Sequence, residues 1–283
     1  MACKVAPGGS LMPAMDYRNG ERGTGNGERI MTEDIGEDSG ASIFDPVLCE
    51  IAYRWFCPDG GSVIDPFAGG SVRGIVSGYL GHPYTGIDLR ADQIAANEKQ
   101  AEAIKPKVKP RWICGNSEKI TELAPGQYDL VFSCPPYYDL EVYSDNAGDL
   151  SAIGTYDEFI QTYQGIIKQC CDMLKDNRFA CFVAGDIRDK KGIYRGFVKD
   201  TIIAFEDAGC KFYNEGILVN VIGSLTIRIT KQFEYRKLGK CHQNVLVFFK
   251  GDPKKIKEEF GVVSIPTEAF PDKEIRLIQD DKK

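Results

Sequence analysis

From residue 62 to residue 208, short apolar runs are followed one after another by amphipathic helical segments, and each run ends on a polar or glycine-rich turn. Ser62-Val63-Ile64-Asp65 is the first run, and Ser71 to Leu80, stopped by Gly81, is its helix. Tyr84 to Asp88 leads to a helix over Ala91 to Ile104, which ends ahead of Pro106 because proline and the residue before it resist helical continuation. Trp112-Ile113-Cys114 and Asp129 to Ser133 read as further strands, Tyr156 to Leu174 as a long helix, Phe179 to Ala184 as a strand and Phe197 to Ala208 as a helix. Strands alternating with helices predict a parallel sheet with right-handed crossovers and helices on both faces. Residues 211–222 and 243–250 are strands with no helix between them, so they are expected to pair antiparallel. The expectation is a Rossmann-like α/β fold: a mostly parallel seven-stranded sheet with an antiparallel last strand.

One domain over 43–250 accounts for this pattern. Residues 1–42 hold few periodic apolar positions and read as a flexible arm, and 251–283 as a charged tail. Phe44-Asp45-Pro46 opens a helix whose apolar stripe is Leu48, Ile51, Ala52 and Trp55. No apolar run approaches the roughly 18 residues that a spanning helix needs. The ten cysteines form no C-x-x-C pair and there are only two histidines, so no zinc site is expected. Free thiols in a reducing cytoplasm are the expectation. A net charge of −6 argues against broad electrostatic attraction to nucleic acid, but leaves room for a local basic surface.

In open α/β sheets ligands bind beyond the carboxyl ends of the strands. Asp65-Pro66-Phe67-Ala68-Gly69-Gly70-Ser71 lies there, between the first strand and its helix, with two glycines that admit a ligand close to the backbone. Asp88 ends the second strand, where an acid can hydrogen-bond a ribose diol. Gly115-Asn116-Ser117 ends the third, and an amide there suits the edge of an adenine ring. Singly such turns are caps; three polar groups at three successive strand ends point to a nucleotide cofactor.

Val63 to Gly74, Asp88 and Asn116 resemble the cofactor motifs of class I S-adenosylmethionine-dependent methyltransferases, and of their DNA amino-methyltransferases (adenine-N6 or cytosine-N4) most closely. Those enzymes carry a signature similar to D-P-F-x-G-S-G-T; here Gly70-Ser71-Val72 stands where Ser-Gly-Thr is usual. The resemblance implies S-adenosylmethionine, or a modified derivative, as cofactor. It puts Phe44 and Asp45 at the motif that wraps the methionine end, Asp65 and Gly69 near the methionine, Asp88 near the ribose and Asn116 near the adenine. Phe67, Ala68, Gly70, Ser71, Leu89 and Ser117 complete the set.

The fourth strand is expected beside the first, and Ser133-Cys134-Pro135-Pro136-Tyr137 leaves it. Two prolines make a rigid turn without N–H donors, so its carbonyls are free to accept, and the tyrosine offers a face to a flipped base. This segment resembles the family's catalytic [Asp/Asn/Ser]-Pro-Pro-[Tyr/Phe/Trp] motif. Cys134 occupies the usual acceptor position and is a weak acceptor. Three routes stay open: Ser133 or the Pro135 carbonyl accepts from an exocyclic amine; Cys134 adds to a pyrimidine ring for carbon alkylation; or a modified group is transferred. A cofactor-binding subunit without catalysis is the alternative of another class.

Substrate contacts are expected from Tyr138 and Glu141 after the motif, from Asp186 after the fifth strand, and from the basic insertion at 223–241. That insertion carries Arg228, Lys231, Arg236, Lys237 and Lys240 interleaved with Phe233 and Tyr235, a combination suited to phosphate contacts and base stacking. His242 reads as a strand-edge residue. DNA is the expected partner, ahead of RNA. The residues after 250 are too few for a recognition domain, so recognition is expected from about 138–155, 188–195 and 223–241, or from a separate specificity subunit.

Overall fold

The computed structural model describes residues 44–138, 150, 153–220, 225, 229 and 232–261. Helix α1 (Pro46–Phe56) starts from Asp45, whose carboxylate accepts the N–H groups of Val47 and Leu48, with Pro46 in the first turn, where its missing donor costs nothing. Its inner face is Cys49, Ala52 and Tyr53, while Ile51 and Trp55 stand outside. This corrects the expected stripe by a rotation of the helix. The reason is Tyr53: its hydroxyl donates to the Arg73 carbonyl at 2.7 Å, so an aromatic with a partner for its polar tip takes the interior.

Strands β1 (Val63–Asp65), β2 (Tyr84–Asp88), β3 (Arg111–Cys114), β4 (Tyr128–Ser133), β5 (Leu174–Ala184), β6 (Lys211–Val219) and β7 (His242–Lys250) form one sheet in the order β3-β2-β1-β4-β5-β7-β6. β1 to β5 run parallel; β7 is antiparallel to both β5 and β6. This is the Rossmann-like, mostly parallel seven-stranded sheet expected above. Its order reverses between β1 and β4, which makes that gap the topological switch point where ligands bind in such sheets.

Helices α2 (Val72–Leu80) and α1 pack together; α5 (Tyr156–Met173) packs on α6 (Phe197–Asp207) and on a short α4 (Ile120–Leu123). Helix α3 (Ala91–Ile104) lies against β2 and β3. The segment from Ser117 through α4 is helical where only a connection was read; at a turn or two it is too short for periodicity to reveal. β5 begins at Leu174, directly after α5, rather than at Phe179. Phe159, Tyr163, Ile167, Phe182, Phe197, Phe205 and Phe248 are wholly buried between these helices and the sheet. Beyond Lys250, a short helix α7 (Ile256–Glu259) is tied back by an Arg178–Glu259 ion pair at 2.8 Å and by Phe260 against Phe179.

No helix among the described residues is long and apolar enough to cross a membrane. The cysteines described are free thiols.

Candidate active site

The turn after β1 is shaped by hydrogen bonds to its backbone. Gly69 has φ +50°, a conformation that favours glycine. Its N–H donates to Asp88 Oδ2 at 2.8 Å, and its carbonyl accepts from Asn97 Nδ2 at 2.7 Å. Nothing lies within 4 Å of where a Cβ would stand on Gly69 or Gly70, so the turn faces open space. Asp88 also accepts from the Arg90 N–H at 2.9 Å. Burial raises its pKa in spite of these two donors, and carboxylate lone pairs remain for a further donor. Ser71 is buried and hydrogen-bonded to Gln100. Asn116 caps the turn after β3 by accepting the Glu118 N–H at 2.9 Å, and Ser117 donates to the Pro66 carbonyl. The second and third strand ends are thereby tied to the first.

Asp65, expected near a methionine, turns its carboxylate into the protein interior. It is fully buried, and both oxygens are occupied by protein donors: Phe67 N–H, the Ser133 hydroxyl, Arg73 Nε and the Tyr84 hydroxyl. Arg73 was not singled out in the sequence. It reaches back from the first turn of α2 under the glycine turn, where Nη2 donates to the carbonyls of Phe67 at 2.6 Å and Ala68 at 2.9 Å. Phe44 lays its ring 4.6 Å from the guanidinium carbon and meets Phe132 edge-on, while Asp45 serves as the α1 cap. The one visible signal was a cation inside the otherwise uncharged run Ser71 to Leu80.

The Cys-Pro-Pro-Tyr loop leaves β4 at the switch point, next to this turn. Ser133 is wholly buried and donates its proton to Asp65, which corrects its expected role as an acceptor for substrate. Cys134 is half-exposed. Tyr137 is half-buried, edge-on to Phe197, with its hydroxyl accepting from Gln243 Nε2 at 2.7 Å. Burial, then the neighbouring Cys134 thiol to which it is hydrogen-bonded, push the Tyr137 pKa far above the phenol range, so it is a neutral hydroxyl. Gly185 lies against both Tyr137 and Gln243, and a residue at the start of β7 thereby reaches the loop. Gln243 escaped the sequence reading because nothing local marks it.

Tyr138, expected to meet substrate, is buried against Tyr156 and Phe159. Its hydroxyl donates to the Gly154 carbonyl at 3.1 Å, and the Arg195 guanidinium lies over its ring. It is part of the wall.

A cavity of about 490 Å³ opens between the turn after β5 and the stretch before β7; Asp186 and His242 in its lining adjoin Gly185 and Gln243, which lie against Tyr137. Arg188, Arg236, Lys237 and Lys240 line it together with Asp186 and His242. A second cavity of about 450 Å³ continues along Lys190, Lys191 and Tyr235. Arg188 stacks 3.7 Å from the Tyr194 ring centroid and donates to the Gly192 carbonyl. Asp186 both faces this cavity and accepts the Val198 N–H at the start of α6. Arg236, Lys237 and Lys240 are thus brought together with Asp186; Glu141, Arg228 and Lys231 lie outside the described residues. No cluster of metal-ligating side chains occurs among the described residues.

No protein-family profile matches the chain, and no curated protein matches it in sequence. In fold it is similar to TrmN from Thermus thermophilus, with TM-score 0.49 and 12% identity over 73% of this chain and 49% of that one. It is also similar to a methyltransferase from Pyrococcus furiosus (TM-score 0.48, 15% identity, 74% of this chain and 84% of that one). A third is a putative rRNA-methylase from Clostridium thermocellum (TM-score 0.46, 13% identity, 74% and 100%). The chain spans about half the length of the TrmN chain.

Proposed function

We propose that this chain transfers a methyl group from S-adenosylmethionine to a base in DNA, at the exocyclic amine of adenine or cytosine. The observation that carries the reading is the meeting of two loops. The glycine turn and the Cys-Pro-Pro-Tyr loop leave the carboxyl ends of β1 and β4 on either side of the switch point, with a basic cavity alongside. The open face of Gly69 and Gly70 fits the methionine end of the cofactor, Asp88 the ribose, and Leu89 with Asn116 the adenine. Bound there, S-adenosylmethionine supplies an electrophilic methyl group. The chain's own part is to hold the amine in line with it, since alignment of the reacting atoms is the main source of rate in such a transfer. With Ser133 engaged by Asp65, the acceptor for the amine hydrogens is the Pro135 carbonyl. Tyr137 borders the base, and Arg188, Arg236, Lys237 and Lys240 take the phosphates.

A second reading, alkylation at carbon 5 of a pyrimidine, is favoured by one observation. Cys134 is a half-exposed thiol hydrogen-bonded to the Tyr137 hydroxyl, and a thiol is the nucleophile such an addition needs. The thiolate would add to carbon 6, carbon 5 would take the methyl group, and loss of the carbon-5 proton would expel the thiolate.

Incubation with methyl-labelled S-adenosylmethionine, DNA and RNA, followed by nucleoside mass spectrometry, tests both. Label is expected in an N-methylated base of DNA and absent with Pro136→Ala or Tyr137→Ala. Label in RNA alone overturns the DNA assignment. Covalent trapping by a 5-fluoropyrimidine, with a dead Cys134→Ser variant, selects the second reading. Cofactor binding without transfer to either polynucleotide overturns both in favour of a non-catalytic subunit.

A further inference from the structure

The Asp65 carboxylate bridges two loops whose residues lie 68 positions apart in sequence. Oδ1 accepts from the Phe67 N–H at 3.0 Å and from the Ser133 hydroxyl at 2.5 Å. Oδ2 accepts from Arg73 Nε and from the Tyr84 hydroxyl, both at 2.7 Å. The place of this bridge in the sheet gives it mechanical meaning. Backbone pairing between β1 and β4 is recorded at Val63–Leu130 and Ile64–Val131 and goes no further. On their outer sides the same strands stay paired to their ends, Asp65 with Gly86 on β2 and Ser133 with Phe182 on β5. At the lip of the switch point the two strand ends therefore part, and the Ser133–Asp65 hydrogen bond spans the base of the gap. Arg73, held by the same carboxylate, fixes the Phe67 and Ala68 carbonyls of the glycine turn from below.

We propose that Ser133, Asp65 and Arg73 are positioning residues that lock the Cys-Pro-Pro-Tyr loop to the glycine turn, so that the position of one sets the position of the other. Neither Asp65 nor Ser133 reaches the surface; they act through Cys134 on one side and through Phe67 and Ala68 on the other. This rests on the reading that the two loops serve cofactor and substrate, but the coupling itself has a test that needs no turnover.

Cys134 is a half-exposed thiol next to Ser133, and Cys114, at the end of β3, is an exposed thiol on another strand. Iodoacetamide labelling of the folded protein, resolved by peptide mass spectrometry, gives the ratio of their rates. Ser133→Ala is expected to raise the Cys134/Cys114 ratio about fivefold, the factor that one net hydrogen bond represents. Tyr84→Phe removes a bond to the same carboxylate from the β2 side and is expected to leave the ratio unchanged. An unchanged ratio in Ser133→Ala overturns the coupling; so does an equal rise in Tyr84→Phe, which would mean general loosening. Steady-state kinetics add the second readout: Ser133→Ala should lower kcat while the KM for S-adenosylmethionine stays near the wild-type value, and a parallel change in both also overturns it. If the wild-type protein transfers nothing, the proposed function fails while the thiol ratio still decides the coupling.

Discussion

Asp65 and Arg73 meet in the interior with every contact supplied by the protein, whereas Arg188, Arg236, Lys237 and Lys240 border an open cavity. The two regions flank the same loop, yet they depend on charge in different ways. A buried ion pair is worth little against an apolar replacement of both partners, but removing one partner strands a charge in low dielectric. Surface cations gain little by themselves; their value lies in a polyanion, and salt erodes it. The interior region is thus built to be rigid and the basic one to be reached by long side chains. Mutations should separate the two by what they cost and by whether salt changes the cost.

The largest effect belongs to the buried side. Arg73→Met should destabilise the protein by about 3–5 kcal/mol in urea unfolding at neutral pH, with little dependence on added salt. Adding Asp65→Asn should recover part of that loss, because the stranded charge goes. A single-variant cost below about 1 kcal/mol, the range of exposed pairs, would break the contrast.

That contrast was only half legible in the sequence. The elements were, since periodicity and terminators are local: β2 over Tyr84–Asp88 and α3 over Ala91–Ile104 have the bounds that the pattern predicts. The strand ends that carry Gly69, Asp88 and Asn116 followed from the same alternation. What a motif does not reveal is who satisfies whom. Asp65 reads as a ligand contact by position, but Arg73, Tyr84 and Ser133 converge on it only after three strands and a helix have packed. Gln243 reaches Tyr137 across 106 residues, a pairing with no local trace. The basic residues before β7 were legible because charge density survives any folding, and their grouping with Asp186 and residues 188–195 was expected; the individual contacts, such as Arg188 on Tyr194, were not.

Asp129 sharpens the comparison from the opposite end of the sheet, where an ion-pair cluster is partly at the surface. Burial pushes its carboxyl up, but Lys175, Ser62 and Arg178 outweigh that and hold it down to about 2, against an ordinary 3.8. A carboxylate depressed by folding contributes stability above its unfolded pKa and loses it as pH falls through the folded value. Unfolding midpoints should therefore drop between about pH 4 and pH 2, and Asp129→Asn should flatten that drop. Since the Lys175 side chain is 41% exposed, salt should weaken this cluster where it leaves Arg73 untouched. An acid limb identical in Asp129→Asn and wild type would remove the cluster from the account.

Between the two regions stands the Tyr137–Gln243 bond. If Gln243 acts on the reaction only by holding Tyr137, then Tyr137→Phe, Gln243→Leu and the double variant should each lower kcat by about tenfold, a loss of about 1.4 kcal/mol. Residues that act as one unit give non-additive losses. A double variant about a hundredfold down would show two independent roles and would move Gln243 to the basic side of the comparison.

The smallest effect is expected from one surface cation. Lys237 carries its ammonium 5.6 Å from the Tyr235 ring centroid and borders both cavities, so it is exchangeable between an aromatic face and a phosphate. With DNA as the proposed polyanion, Lys237→Ala should weaken binding only a few-fold near physiological salt and should reduce the slope of log affinity against log salt by about one, the share of a single phosphate contact. Its effect on urea stability should be negligible, the reverse of Arg73→Met. The slope decides the matter better than the affinity does, because a lost stacking or shape contact would lower affinity equally at every salt concentration. An unchanged slope would mean that Lys237 serves Tyr235 rather than the polyanion, and the electrostatic half of the comparison would then rest on Arg188, Arg236 and Lys240.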